Sequence, residues 1–198
     1  MRRGALVAAV LLCALPAQGD LTSLSPAVID ALSQIDTPPS KTTLNDMFST
    51  PQSAIDNLRA IALDHTIDFG VELRAIRALP MYCPTAPMTC SSTVVHDTLH
   101  ILIDDYNTTP HTPKSELRLR AAVEALGATR TGLASDVDKL TPLLADPSRD
   151  VRVTVAFALR NVCSSTAIEP LRALFQTEPV VQVQKAITAA LRDLRQCP

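Results

Sequence analysis

The chain has 198 residues, of which 46% are hydrophobic and 3% aromatic, and it contains no tryptophan. Its formal net charge of −2 argues against a general nucleic-acid binder, because such proteins are normally basic. Five glycines leave little room for a glycine-rich phosphate loop, and no nucleophile elbow or dinucleotide-binding fingerprint is present. A core of Leu, Val, Ile and Ala instead suits a stack of helices.

Residues 1–19 have the three parts of a secretory signal peptide. Two arginines directly after Met1 form a basic segment, the apolar stretch that follows is too short to span a bilayer, and Ala17 and Gly19 supply the small residues of a cleavage site. We therefore expect export to the periplasm or the extracellular space of a bacterium, with cleavage after Gly19. The mature chain would carry a net charge of −4. Lipidation at Cys13 is the alternative, although a lipoprotein site prefers a small residue before its cysteine.

Residues 20–50 differ in composition from the rest of the chain. Val28, Ile29 and Leu32 give the first part an apolar side and indicate a short helix, whereas the run 37–43 has the Pro, Ser and Thr content of a linker. We interpret the segment as a cap helix on a tether. The alternative is a flexible arm that reaches a partner.

A seven-residue phrase recurs four times in the remainder. Its copies begin at Asp68, Thr112, Asp146 and Glu178, at offsets of 44, 34 and 32 residues. Each copy is expected to open a helix, because it combines an N-capping residue (weakest in the fourth copy), proline in three copies, and an acid or amide in the first turn. A tandem unit of this length predicts a solenoid, in which each repeat buries its apolar face only against its neighbours.

A second apolar helix is predicted before each phrase, so the repeating unit is helix–turn–helix. The apolar spacing of three and four residues places these first helices at 51–63, 92–106, 133–145 and 166–176. The repeat domain is expected to cover residues 51–198. No further apolar run reaches the length of a membrane span.

The last two repeats resemble a known family. The run from Asp146 to Leu159, with Val151 and Arg152 near its start, resembles the second helix of a HEAT repeat in the short bacterial form that also occurs in phycobilisome-lyase-like repeats. The run 168–174 is similar to that family's first helix. The resemblance implies an all-α, right-handed α-solenoid of about four repeats that serves protein–protein contact, and it implies no activity. Tetrapyrrole lyase activity, found in one branch of the family, conflicts with the expected export.

The seventh position of the phrase forms a column on the second helices. Its members are Arg74, Arg118, Arg152 and Gln184. One interpretation is a ladder of ion pairs with the acids two positions earlier in neighbouring repeats, which would set register more than stability. The other is a stripe on the concave face that binds an acidic protein or peptide. A short arc of four repeats is also compatible with a homo-oligomer.

The motif His96-Asp97-Thr98-Leu99-His100 is the one group with catalytic character. Two histidines four residues apart on a helix have the spacing of zinc ligands, and Asp104 continues the same face as a third candidate. A metal-binding protein or metal-dependent enzyme is therefore the alternative to a non-catalytic scaffold without a cofactor. The zincin pattern, however, has glutamate directly after the first histidine. The simpler interpretation, which we prefer, is a solvated polar face on the convex side.

Four cysteines follow the expected signal peptide, and an even number in an exported chain predicts two disulfides. Of the three connectivities, we favour Cys83–Cys90, which closes a short proline-containing loop, and Cys163–Cys197. The second pair is separated by 34 residues, about one repeat, and would link the ends of the last two second helices. A zinc site at Cys83 and Cys90 is the alternative for the first pair, although the spacing is not that of a CxxC motif.

Overall fold

The structure is a computed structural model that describes residues 25–34, 39–83 and 93–197. These ranges contain ten α-helices and no strand, which confirms the predicted all-α solenoid. The helices are α1 (Pro26–Ser33), α2 (Lys41–Phe48), α3 (Pro51–Leu63), α4 (Phe69–Ala78), α5 (Thr93–Thr108), α6 (Pro113–Ala128), α7 (Ala134–Leu140), α8 (Arg149–Val162), α9 (Ile168–Thr177) and α10 (Val181–Leu194). In the described ranges, no helix has the length and apolar character needed to cross a membrane. The predicted signal peptide, residues 1–19, lies outside them.

The helices form two layers. Each first helix (α3, α5, α7 and α9) packs against the second helix of its own repeat, and the second helices α4, α6, α8 and α10 pack in succession. One continuous core of Leu, Ile, Val and Ala side chains runs through these contacts. The repeat therefore buries its apolar surface against its neighbours, as the tandem phrase predicts.

The N-terminal extension is part of this packing. Ser25 caps α1, and Ser40 caps α2 by accepting a hydrogen bond from the backbone N–H of Thr43 at 3.1 Å. Leu32 of α1 and Leu44 of α2 are fully buried, and the two helices pack against α4 and α3 respectively. The predicted cap helix is present, but the linker prediction is wrong for residues 41–43, which form the first turn of α2.

The phrase opens its helices as predicted in the first two repeats only. Asp68 accepts hydrogen bonds from the N–H groups of residues 70 and 71, and Thr112 forms a capping box with Ser115. In the third copy the cap is Ser148 rather than Asp146, and α10 begins without a side-chain cap. The acids that begin the last two copies instead bond to neighbouring repeats, as described below.

Prolines explain where two predicted helices change form. The predicted helix 133–145 is split into α7 and a 3₁₀ turn, Thr141–Ala145, that contains Pro142. Helix α4 likewise gives way to the 3₁₀ turn Leu79–Tyr82 at Pro80. Proline lacks the N–H that an α-helix needs and its ring clashes with the preceding turn, so the helix cannot continue unchanged.

A disulfide joins Cys163 and Cys197, the pair that the repeat spacing predicts, with the Cα atoms 5.4 Å apart. It links the ends of α8 and α10. Closing a loop of this length stabilises a chain by about 4 kcal/mol in the chain-entropy model. For the other predicted pair, Cys83 is disulfide-bonded and buried, while Cys90 lies outside the described residues.

The close approach of α6 and α8 at Gly127 predicts that one added methyl group lowers stability. A Cβ atom on Gly127 of α6 would lie 2.8 Å from the Cα of Ala158 in α8. Alanine normally stabilises a helix interior relative to glycine by about 0.5–1 kcal/mol, but here the backbones must separate. We expect Gly127→Ala to lower the free energy of unfolding by about 1–3 kcal/mol in chemical denaturation.

Gly70→Ala is the matched control for this prediction. At Gly70 the added Cβ would meet only the ends of the Asp68 and Arg74 side chains, at 3.1 and 3.4 Å. These two side-chain ends need to shift by only a few tenths of an ångström, although both make hydrogen bonds, so we expect a smaller loss of stability than in Gly127→Ala. A Gly127→Ala protein with undiminished stability would contradict the close approach of α6 and α8.

Candidate functional site

The second member of the predicted column, Arg118, is bound inside the stack. Its Nη2 donates to Oε2 of Glu72 at 3.1 Å, and its Nε donates to Oε1 of the same carboxylate. Glu72, on α4, is almost fully buried, and Oε1 also lies 3.1 Å from Nδ1 of His65. Glu72 stands two positions before Arg74 in the preceding phrase. This contact therefore matches the ion-pair ladder that the sequence suggested.

Arg152 forms a similar pair in the opposite direction along the stack. Its Nε and Nη2 donate to the two carboxylate oxygens of Glu178 at 2.7 and 2.9 Å, and Nη1 donates to the carbonyl oxygen of Asp146 at 2.8 Å. The hydrogen bonds from Arg152 hold the pKa of the buried Glu178 carboxyl below its usual value, against the effect of burial. Glu178 opens the following phrase, so the partner predicted for Arg152 is wrong.

The other two members of the column also bond internally. Arg74 Nη1 donates to the carbonyl oxygen of Leu32 at the end of α1, at 2.9 Å, and Gln184 Nε2 donates to the carbonyl oxygen of Glu178 at 2.7 Å. All four side chains of the column, Arg74, Arg118, Arg152 and Gln184, therefore bond within the stack and hold the repeats together. Binding of a partner by this column stays a prediction.

A different set of charges remains accessible on the second helices. Three ion pairs connect successive second helices, with N···O distances of 3.4–3.8 Å and partly exposed side chains. We call them the outer ladder: Arg77–Glu124, Arg120–Asp150 and Arg160–Asp193. Beside its last member, the ring of Phe157 is 38% exposed, and the Arg160 guanidinium lies 5.1 Å from the ring centroid.

The histidine motif is not on a solvated face, which corrects the preferred sequence interpretation. His96 and His100 are 20% and 18% exposed, and the Nε2 atoms of both point at one oxygen, Oδ1 of Asp136. The separations are 2.5 Å and 2.9 Å. Asp136 lies in the first turn of α7 and has no exposed surface. The Thr131 hydroxyl donates to the other carboxylate oxygen.

The sequence offered Asp104 as the third candidate ligand, but the structure does not bring Asp104 to the two histidines. Asp104 is exposed and accepts hydrogen bonds from Lys139 Nζ at 2.7 and 2.9 Å. Asp136, from the next repeat, takes its place beside the two histidines. Burial raises the pKa of Asp136, but hydrogen bonds from His100, Thr131 and His96 together outweigh burial, so the net pKa is lowered. We call His96, His100 and Asp136 the His–Asp cluster. Its carboxylate is therefore ionised at neutral pH.

The His–Asp cluster has the chemistry of a metal site. Its three ligand atoms, two imidazole nitrogens and one carboxylate oxygen, lie within 4.8 Å of one another. Nothing in the sequence pointed to Asp136 except an acid in a helical first turn, which is an ordinary feature of helices.

A shallow cleft lies where the turns before α6 and α8 meet. Tyr106, His111, Glu116, Leu117 and Asp146 contribute to its lining. The Tyr106 hydroxyl donates to Asp146 Oδ2 at 3.1 Å, and the His111 ring stacks on Tyr106 with centroids 4.2 Å apart. Burial, reinforced by Asp146, raises the pKa of Tyr106 to about 12. The tyrosine is therefore a neutral structural donor and not an acid–base group at neutral pH.

Comparison with known proteins supports the repeat assignment. Residues 111–192 match the family model for HEAT repeats. No curated protein matches the chain. The crystal structure of an engineered protein from a structural genomics consortium is similar, with 22% identity and a TM-score of 0.44 over 85% of this chain and 78% of that one. A similarity this weak carries no argument, so the assignment depends on the family model and the helical architecture.

The Arg152–Glu178 pair predicts how stability depends on pH. Because the folded-state pKa of Glu178 is below its ordinary value of 4.5, the pair stabilises fully above that value and is lost as pH falls through the folded pKa. We expect Glu178→Gln to lower the free energy of unfolding at pH 7 by about 3 kcal/mol and to flatten its decline in acid. Chemical denaturation between neutral and acid pH measures both effects.

Glu169→Gln provides the matched control on the surface. Glu169 pairs with Arg172 at 2.7 Å, but its side chain is 79% exposed. We expect a loss below about 1 kcal/mol, because exposed ion pairs contribute little. Equal effects of the two substitutions would show that burial of the Arg152–Glu178 pair is not what makes it stabilising.

Proposed function

We propose that the chain is a non-catalytic scaffold that binds a protein or peptide partner, because residues 111–192 match the family model for HEAT repeats. Repeats of this kind form extended surfaces, and the family is generally non-catalytic. The second helices, which the family resemblance places on the concave side, present the outer ladder and Phe157. We propose this surface, rather than the internal Arg column, as the binding face.

The observation that carries this proposal is the pairing of Phe157 with Arg160 on α8. The remaining large apolar side chains of α8 are buried or partly buried, whereas the Phe157 ring is exposed beside a guanidinium group. Aromatic and arginine side chains contribute most of the binding energy at many protein interfaces. The residues around them therefore fit a partner segment that combines an apolar side chain with an acid.

The weakness of the outer ladder supports the same proposal. Arg160 Nη1 is 3.7 Å from Asp193 Oδ2, and both side chains are about one-third exposed. A pair of this kind adds little to the stability of the fold. Arg160 can therefore exchange its internal carboxylate for one from a partner at small cost, whereas Arg118 and Arg152 cannot leave their buried glutamates.

Two phenylalanines with nearly equal exposure allow a matched test. Phe157 on α8 is 38% exposed and Phe175 on α9, in the first-helix layer, is 39% exposed. After a partner has been identified by cross-linking to the native protein, titration calorimetry measures its affinity for each variant. We expect Phe157→Ser to weaken binding by at least about tenfold, the scale of an interface hot spot, and Phe175→Ser to leave it unchanged. The opposite pattern, or no effect of either substitution, would contradict the proposed face.

We also propose that the chain is exported to an oxidising compartment, the periplasm or the extracellular space. The Cys163–Cys197 disulfide supports this, because disulfides persist mainly outside the reducing cytosol. The second support is the signal-like sequence of residues 1–19.

Intact-mass spectrometry of the native protein tests this proposal. We expect the mass of a chain that begins at Asp20 and lacks four hydrogens, with those hydrogens regained on reduction. A native mass that retains residues 1–19, or one with free thiols throughout, would contradict export.

A further inference from the structure

The buried carboxylates of the stack differ in how their charge is balanced. Glu72 and Glu178 each accept two hydrogen bonds from an arginine of a neighbouring repeat. Asp136 is equally buried, and its bonds come from His96, His100 and Thr131. In the described part of the chain, no lysine or arginine bonds to it. Burying an ionised carboxylate without a cation destabilises the fold. We therefore expect a positive charge beside Asp136, at the position of the two histidines.

The positive charge can be a metal ion, because the three ligand atoms lie close enough together to bind one ion. Both Nε2 atoms lie beside one carboxylate oxygen, at 2.5 and 2.9 Å. Tetrahedral zinc with bonds of about 2.0–2.1 Å separates adjacent donor atoms by roughly 3.3 Å. An ion shared by these atoms would therefore lengthen the two N···O separations by less than about 1 Å each.

We propose that His96, His100 and Asp136 bind one divalent ion of the zinc class, through the two Nε2 atoms and Oδ1. Two imidazoles with a single carboxylate favour zinc over magnesium or calcium, which prefer sets of oxygen ligands. The helix α5 supplies the two histidines at a spacing of four residues, and the first turn of α7 supplies the carboxylate. The ion joins the first helices of two successive repeats.

The surroundings of the three ligands fit this role. The Thr131 hydroxyl bonds to Oδ2 and so directs Oδ1 towards the histidines. The Asp97 carboxylate lies 3.8 Å from Nδ1 of His96, on the side away from the ion. The Thr131 hydrogen bond is the kind of outer contact that orients ligands in known metal sites, whereas the Asp97 carboxylate is beyond hydrogen-bond distance. Both histidines keep about one-fifth of their side-chain surface exposed, so solvent reaches the edge of the cluster and water can supply a fourth ligand.

His65 also lies beside two carboxylates, yet it does not form a metal site, and it serves as a comparison within the same chain. His65 lies 3.1 Å from Glu72 and 3.2 Å from Asp105. There, however, the Arg118 guanidinium already neutralises Glu72 and would repel an ion. The structure thus assigns the metal to the His–Asp cluster and not to His65, which makes His65→Gln a matched control.

The test uses the full-length chain, without a histidine tag, stripped of metal by a chelator and then titrated with zinc chloride alone. Competition with a chromogenic chelator gives the affinity, and elemental analysis gives the stoichiometry. We expect one zinc per chain, an affinity weakened more than about tenfold by His100→Gln or by Asp136→Asn, and no change in His65→Gln. Bound cobalt, read by its visible absorption, is expected to report the same pattern.

The test remains decisive even if one of the variants does not fold. If Asp136→Asn fails to fold, His100→Gln still decides the outcome, because His100 is partly exposed; circular dichroism verifies that it remains helical. Absence of stoichiometric zinc binding by the wild type would overturn the proposal, as would equal affinities in the wild type and His100→Gln. The cluster lies on the first helices and the proposed partner face lies on α8. Neither result of the zinc titration therefore decides the scaffold proposal, which has a separate test.

Discussion

Acidic side chains buried at contacts between repeats are the constraint on which this stack depends. Each buried acid described, Glu72, Asp136, Asp146 and Glu178, accepts a hydrogen bond from a side chain of a neighbouring repeat. The apolar core alone would let stacked helices slide, since Leu and Ala contacts are not directional. A buried charge is stable only when its partner has the correct geometry. Removing that partner lowers the free energy of unfolding more than removing an apolar contact of similar size.

This constraint also divides the polar side chains into two groups with different functions. Arg118 and Arg152 are committed to buried glutamates, so their replacement would damage the fold before it revealed any role in binding. The outer ladder has weaker, exposed bonds and can exchange partners, as a binding face requires. The His–Asp cluster belongs to the first group by burial, yet its histidines retain access to solvent. That combination is why we assign it a metal rather than a purely structural role.

The sequence predicted the elements well and their contacts less well. Periodicity identified the helices, and the spacing of Cys163 and Cys197 identified their disulfide, because both depend on local pattern or on one full repeat. The partner of Arg152 and the role of Asp136 were missed. Arg118 bonds to the preceding repeat, whereas Arg152, at the same position of its phrase, bonds to the following one, so equivalent positions in the sequence do not make equivalent contacts. Which residue faces which across two repeats is decided by packing, which a single sequence does not display.

A double-mutant cycle on Glu72 and Arg118 tests the central claim most directly. Urea denaturation of the wild type, Glu72→Gln, Arg118→Met and the double variant gives the coupling free energy between the two residues. If buried charges fix the contacts between repeats, each single variant is strongly destabilised and the coupling is at least about 2 kcal/mol, since the double variant leaves no unpaired charge. Single effects that add to within about 0.5 kcal/mol would contradict the account.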